Sequence, residues 1–177
     1  MKKLALSLAA LALAAVPAVS HAQTASATVN ASATVQASLT AATTHQLKFG
    51  TLAMGASSTL ASSGASQASL SGLTTAGLGQ VQVGHNSNVN VTATVPTVLT
   101  NASTGQTLGF AATCATASSS GGTGTAVASC ASFSFTAGTP GTVQSTYVLV
   151  GGTVTGNAAS GVGTFTGDVD FTFTASN

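Results

Sequence analysis

The odd positions from Ala25 to Leu39 are all apolar: Ala25, Ala27, Val29, Ala31, Ala33, Val35, Ala37 and Leu39. Every even position from Thr24 to Thr40 is Ser, Thr, Asn or Gln, and a six-residue unit is spelled twice, SATVNA and then SATVQA. At 100° per residue these apolar positions scatter around a helix, whereas at 180° they share one side, so the pattern predicts an extended ribbon. Its length is unusual: at about 3.3 Å per residue, residues 24–40 reach beyond roughly 50 Å, two to three times a typical strand. Two accounts stand open. The ribbon bends or changes sheet within its own domain, or its first half leaves the domain and completes a neighbour's sheet by β-strand addition.

Period two recurs further along. Gln80-Val81-Gln82-Val83, residues 89–95, residues 132–136, Thr142-Val143, residues 147–150 and residues 169–174 all read as half-buried strands, rich in β-branched and aromatic side chains. Gly84-His85-Asn86, residues 101–105, 118–124 and 138–141, Gly151-Gly152 and Gly156-Asn157 read as the punctuation between them. Residues 55–78 lack a clear period and suggest turns with one or two irregular strands, or a short helix. The predicted fold is all-β, an antiparallel sandwich or barrel of short strands.

The beginning of the chain has a different character. Met1-Lys2-Lys3 is basic, residues 4–19 are an apolar run interrupted by Pro17, and Ser20-His21-Ala22 places small residues where a signal peptidase reads. The predicted division is a signal peptide over 1–22, the alternating N-terminal strand over 23–40 and a β-sandwich domain over 41–177. The apolar run is too short to span a membrane comfortably. The expected location is therefore extracellular or at a bacterial cell surface, reached through the periplasm, without direct membrane insertion.

Charge narrows the functional classes. Beyond residue 22 only Lys48, Asp168 and Asp170 remain, one positive group against two negative. A single cation cannot neutralise a phosphate backbone, which excludes nucleic-acid binding and polybasic membrane docking. Disordered chains usually combine low hydrophobicity with high net charge, and this chain has neither. Its apolar content is largely Ala and Val, with no Trp, so each buried side chain removes little area from water. Such a core needs backbone pairing, a covalent staple or a partner chain. Cys114 and Cys130 are the only cysteines, and in an exported chain a disulfide between them is the expectation, worth about 3 kcal/mol for a loop of this size.

Catalytic chemistry is not predicted. The ionisable pool is His45, His85, Lys48, Asp168, Asp170 and Tyr147, with no Gly-x-Ser-x-Gly elbow. The two histidines are expected in exposed loops with too few further ligands for a metal, so neither metal nor cofactor is expected. Asp168 and Asp170, two apart, are expected on the solvated face of a strand. Thr pairs at 92/94, 153/155, 164/166 and 172/174 read as the solvent side of strands or as a flat glycan- or ice-binding face.

After the ribbon come Leu47-Lys48-Phe49-Gly50-Thr51-Leu52, and the chain closes with Gly163-Thr164-Phe165-Thr166-Gly167 and the alternating run ending in Phe171-Thr172-Phe173. An alternating first strand, a Leu-x-Phe-Gly-Thr-Leu element and a final Gly-x-Phe-x-Gly strand resemble the secreted bacterial domains of the spore-coat-protein-U and chaperone-usher pilin kind. The likeness covers the two ends of the chain. It implies an immunoglobulin-like sandwich lacking one strand, whose groove takes the N-terminal extension of the next subunit. Ala25, Ala27, Val29 and Ala31 would then be donor plugs, and Ala33, Val35, Ala37 and Leu39 the domain's own first strand, the polymerisation strand as a whole including Ala33 and Val35. It also implies homopolymerisation, with a periplasmic chaperone and an outer-membrane usher as partners. The chain departs from the pattern in carrying Leu39 where many relatives have a cysteine, and in ending without a tyrosine-bearing strand. The function expected is therefore a structural subunit of a fibre, pilus or coat. The alternative is a monomeric secreted module that recognises carbohydrate or another surface through Thr-rich strand faces or loops.

Overall fold

A computed structural model describes residues 31–32, 36–63, 76–139 and 141–176. The residues from 36 onward lie in one compact unit, and Ala31 and Ser32 belong to a separate N-terminal one. The signal-peptide region and most of the ribbon lie outside the described residues.

The described residues form ten strands: β1 (Leu39–His45), β2 (Ser58–Leu60), β3 (Gly79–His85), β4 (Asn88–Thr94), β5 (Val98–Thr100), β6 (Thr107–Ala117), β7 (Thr125–Ala126), β8 (Ser132–Phe135), β9 (Gln144–Thr155) and β10 (Asp170–Ser176). Among the described residues the only helical element is one 3-10 turn at Ala158–Ser160. The strands make two antiparallel sheets. The larger runs β1-β3-β9-β6-β5, with β2 beside β9 and β7 beside β6; the smaller runs β10-β4-β8. The chain is an all-β antiparallel sandwich, as its alternation predicts.

The long central strand β9 carries the fold. It pairs with β6 along one side and with β3 and then β2 along the other. Its Tyr147-Val148-Leu149-Val150 run is apolar without interruption because both faces of the large sheet are covered. On one face Leu149 packs with Leu78, Ala115 and Ala117, against Leu60 and Tyr147. On the other, Val150 packs with Cys114 and Cys130, and Val95, Val169 and Phe171 close over them from the direction of the small sheet. β6 alternates on its even positions up to Cys114 and then buries Ala115 and Ala117 on its odd ones. That break conceals an eleven-residue strand from a period-two reading.

Two of the expected turns lie inside strands. Gly151 and Gly152 sit mid-strand in β9, fully paired with β6 and, at Gly152, with β2. They are glycines because other backbone crosses there. A Cβ on Gly151 would strike the carbonyl oxygen of Leu60 and come within 3.0 Å of Leu78 Cδ2, and Gly152 has φ +149° with the Ala111 carbonyl oxygen against it. Likewise Gly84 and His85 end β3, and the turn itself is Asn86-Ser87. Thr142-Val143, expected in a strand, precedes β9 instead, with Val143 exposed. The turn at 101–105 forms as predicted, with Asn101 O accepting from Thr104 N and Gly105 N and Gly105 at φ +71°. Of residues 55–78, the described part holds β2 and the Lys48–Gly77 bridge.

Candidate strand-addition edge

The small sheet has a buried centre and two half-covered flanks. Val89 and Val91 on β4 are fully buried, whereas Phe171 and Phe173 on β10 and Phe133 and Phe135 on β8 are only partly so. The register places Phe173 and Phe133 on either side of Val91, with Phe171 beside Ala93 and Phe135 beside Val89. All of them face inward, and Asp170, Thr172 and Thr174 alternate outward and exposed.

β10 is an edge strand. Among the described residues it pairs with β4 alone, so its other row of amide and carbonyl groups faces away from the sheet. Phe171 and Phe173 stack with ring centroids 6.0 Å apart. They present a half-covered apolar surface beside that unpaired row. β1 lies nearby, within 8 Å by Cα positions and without ladder hydrogen bonds to β10. It is held from one side, by β3, and nearly every residue along it is exposed.

Of the ribbon residues singled out in the sequence, Ala25, Ala27, Val29, Ala33 and Val35 lie outside the described residues, and Ala31 is exposed. The boundary of the first strand differs from the one the resemblance implies. β1 begins only at Leu39, and Ala37 precedes it in exposed, non-strand chain. Ser38 is nonetheless tied down, its amide donating to Asn86 Oδ1 at 2.7 Å. The physical reason is the length of the partner strand: Leu39 pairs with His85, the last residue of β3, and Asn86-Ser87 turns away, so the residues just ahead of Leu39 have no ladder to join. The strictest alternation therefore lies ahead of the domain's own strand.

Cys114 and Cys130 are joined, with Cα atoms 5.2 Å apart, and both are buried. Cys114 belongs to β6 of the large sheet and Cys130 lies two residues before β8 of the small one. Ala131 O accepts from Ala93 N of β4. The bond thus staples one sheet to the other.

The histidines take different places. His45 is exposed at the end of β1, its Nδ1 3.2 Å from Gln80 Oε1. His85, expected in an exposed loop, is completely buried between the sheets. Its Nδ1 lies 2.8 Å from Ser87 O and its Nε2 2.9 Å from Thr146 Oγ1, and its ring meets Phe135 edge-on at 4.9 Å. The signal was present, since Val81, Val83 and His85 continue one alternation; the glycine at 84 masked it. Among the described residues no three His, Cys, Asp or Glu side chains gather as a metal site. Asp168 and Asp170 are both exposed, but only Asp170 lies on a strand as expected; Asp168 precedes β10.

The threonine pairs also separate. Thr92, Thr94, Thr172 and Thr174 share the outer face of the small sheet, in register with Ser132 and Ser134. Thr153 and Thr155 lie on β9, and Thr164 and Thr166 in the connection before β10, where Thr166 bridges Thr100. No helix among the described residues is long and apolar enough to cross a membrane. No protein-family model, curated protein or solved structure matches this chain.

Proposed function

We propose that the protein is an exported structural subunit that polymerises into a surface fibre or coat, its N-terminal ribbon adding a strand to the β10 edge of the next subunit. The observation that carries this reading is the β10 edge itself: an unpaired backbone row beside the half-covered Phe171 and Phe173. An open edge flanked by apolar surface is a template for pairing, and proteins that do not use one usually blunt it. Asp170 at its start is the one charge on the strand.

The ribbon suits that edge in three respects. Its alternation matches that of β10, so a single parity sets Ala25, Ala27, Val29 and Ala31 inward beside the phenylalanines and Ser26, Thr28, Asn30 and Ser32 outward beside Thr172 and Thr174. Small plugs suit a seat already narrowed by aromatic rings. The repeat unit is six residues, an even number, so SATVNA and SATVQA present the same face and either can occupy the same seat.

On this reading the domain is an immunoglobulin-like sandwich lacking one strand, residues 1–22 direct export, and a periplasmic chaperone and outer-membrane usher handle the subunit. Deleting residues 24–31 from a chain beginning at Gln23 tests it. The intact chain should give polymers by electron microscopy and a heat-labile ladder in unboiled gels, and the deleted chain neither. A synthetic peptide of the missing segment should restore thermal stability in trans. An intact chain that stays monomeric, with stability untouched by the deletion, would sink the proposal.

A further inference from the structure

On the side of the sandwich away from β10, the two sheets part around a groove of about 390 Å³. Thr116 at the end of β6, Thr125 opposite it on β7, Thr123 just before β7, Thr146 at the start of β9, and Phe135 and Thr136 from β8 and its end line it. The volume falls in the usual range for small-molecule sites, and no charged side chain lines the groove.

One of these hydroxyls is oriented from behind. A carbonyl oxygen only accepts, so His85 Nδ1 carries the hydrogen given to Ser87 O. In the neutral ring Nε2 is then an acceptor, and the Thr146 hydroxyl donates to it. The remaining lone pairs of Thr146 Oγ1 are left to accept from the groove. Histidine is an uncommon choice for a fully buried site in a core of valines and alanines, since an apolar residue there would need no partners. A role in setting one acceptor of a polar groove accounts for it. The same ring packs edge-on against Phe135 and fixes the groove's one aromatic wall.

We propose that this groove binds a neutral sugar, of about one pyranose ring, with His85 as a positioning residue for Thr146. Several hydroxyls that both donate and accept match a ligand whose rim does the same, and a phenyl ring suits the apolar face of a pyranose. The absence of lining charge disfavours phosphorylated and acidic sugars, which would lose hydration without a counter-charge. The many hydroxyls disfavour an acyl chain. The inference does not depend on fibre formation, because the groove lies apart from β10.

Saturation-transfer NMR observes the ligand and works whether the chain is monomeric or polymeric. Methyl glycosides of glucose, galactose, mannose and N-acetylglucosamine at about 10 mM, above the millimolar affinity of a one-sugar site, should give transfer from at least one. Glucuronate should give none. Thr146→Val should weaken that binding about ten-fold, as loss of one hydrogen bond implies, and Thr146→Ser should retain it. His85→Leu should weaken binding in the native background but not further in Thr146→Val, a coupling that simple destabilisation would not produce. Thr125→Val, an exposed position that leaves the core alone, should weaken binding and covers the event that the His85 variant does not fold. No transfer from any neutral glycoside, equal transfer from glucuronate, or binding unchanged in both Thr146→Val and Thr125→Val would overturn the proposal.

Discussion

His85 and Gly151 show how single positions fix the packing in a chain with few large side chains, His85 between the two sheets and Gly151 where β2 lies against β9 within the large one. Replacing His85 by Ala removes the partner of both Ser87 O and Thr146 Oγ1 and leaves a void between the sheets. The two effects together should cost about 2–5 kcal/mol. Urea unfolding would show this as a shifted midpoint at constant slope. Gly151→Ala places a methyl group against the Leu60 carbonyl, so β2 must move away from β9 or the strand must bend. A loss of about 1–3 kcal/mol, typical of overpacking, is expected in the same assay. Neither residue declares itself in the sequence. Glycine pairs mark turns far more often than crossings of backbone over a strand, and a histidine next to a glycine reads as loop until the preceding valines are counted with it. Val89 and Val91, by contrast, were legible as core from alternation alone.

At the scale of strands, legibility followed the environment of each face. β4, β8 and β10 each have one covered and one solvated face, and their period-two pattern predicts them within a residue or two. β9, and β6 from Cys114 onward, are covered on both, so those stretches lack the contrast that alternation needs. The six-residue repeat makes the two halves of the ribbon equivalent in face and spacing. In the proposed assembly Val29→Asp would put a charge into one copy of the repeat, and the other copy could take its place by a slide of six residues without changing face. Polymerisation should persist with Val29→Asp and fail with Val29→Asp combined with Val35→Asp, as read by the heat-labile ladder. Equal loss in the single variant would show that only one half is used.

A strand paired to both β1 and β10 would need them about 9.5 Å apart, more than they are where they come within 8 Å. β1 is the element that can yield, since it is paired on one side and exposed along its length. Its amides should exchange faster than those of β3 and β9 in the free subunit.

At the scale of the whole molecule, the scarcity of charge after residue 22, where only Lys48, Asp168 and Asp170 carry it, is as informative as any motif. Cohesion must come from backbone pairing, small apolar cores on both faces of the large sheet, and the Cys114–Cys130 staple between the sheets. Cys114→Ser with Cys130→Ser should therefore cost about 3 kcal/mol, a large part of the stability of a domain this size. Polymerisation driven by charged patches is screened as ionic strength rises, because the Debye length falls from about 30 Å at 0.01 M to about 3 Å at 1 M. In the proposed strand addition there is almost no charge to screen: the ribbon has none, and β10 has Asp170 alone. The polymerisation rate followed by light scattering should thus change less than about three-fold between 0.01 and 0.5 M sodium chloride, where steered protein association changes by orders of magnitude. A steep fall with salt would mean that assembly uses a surface other than the ribbon and the β10 edge.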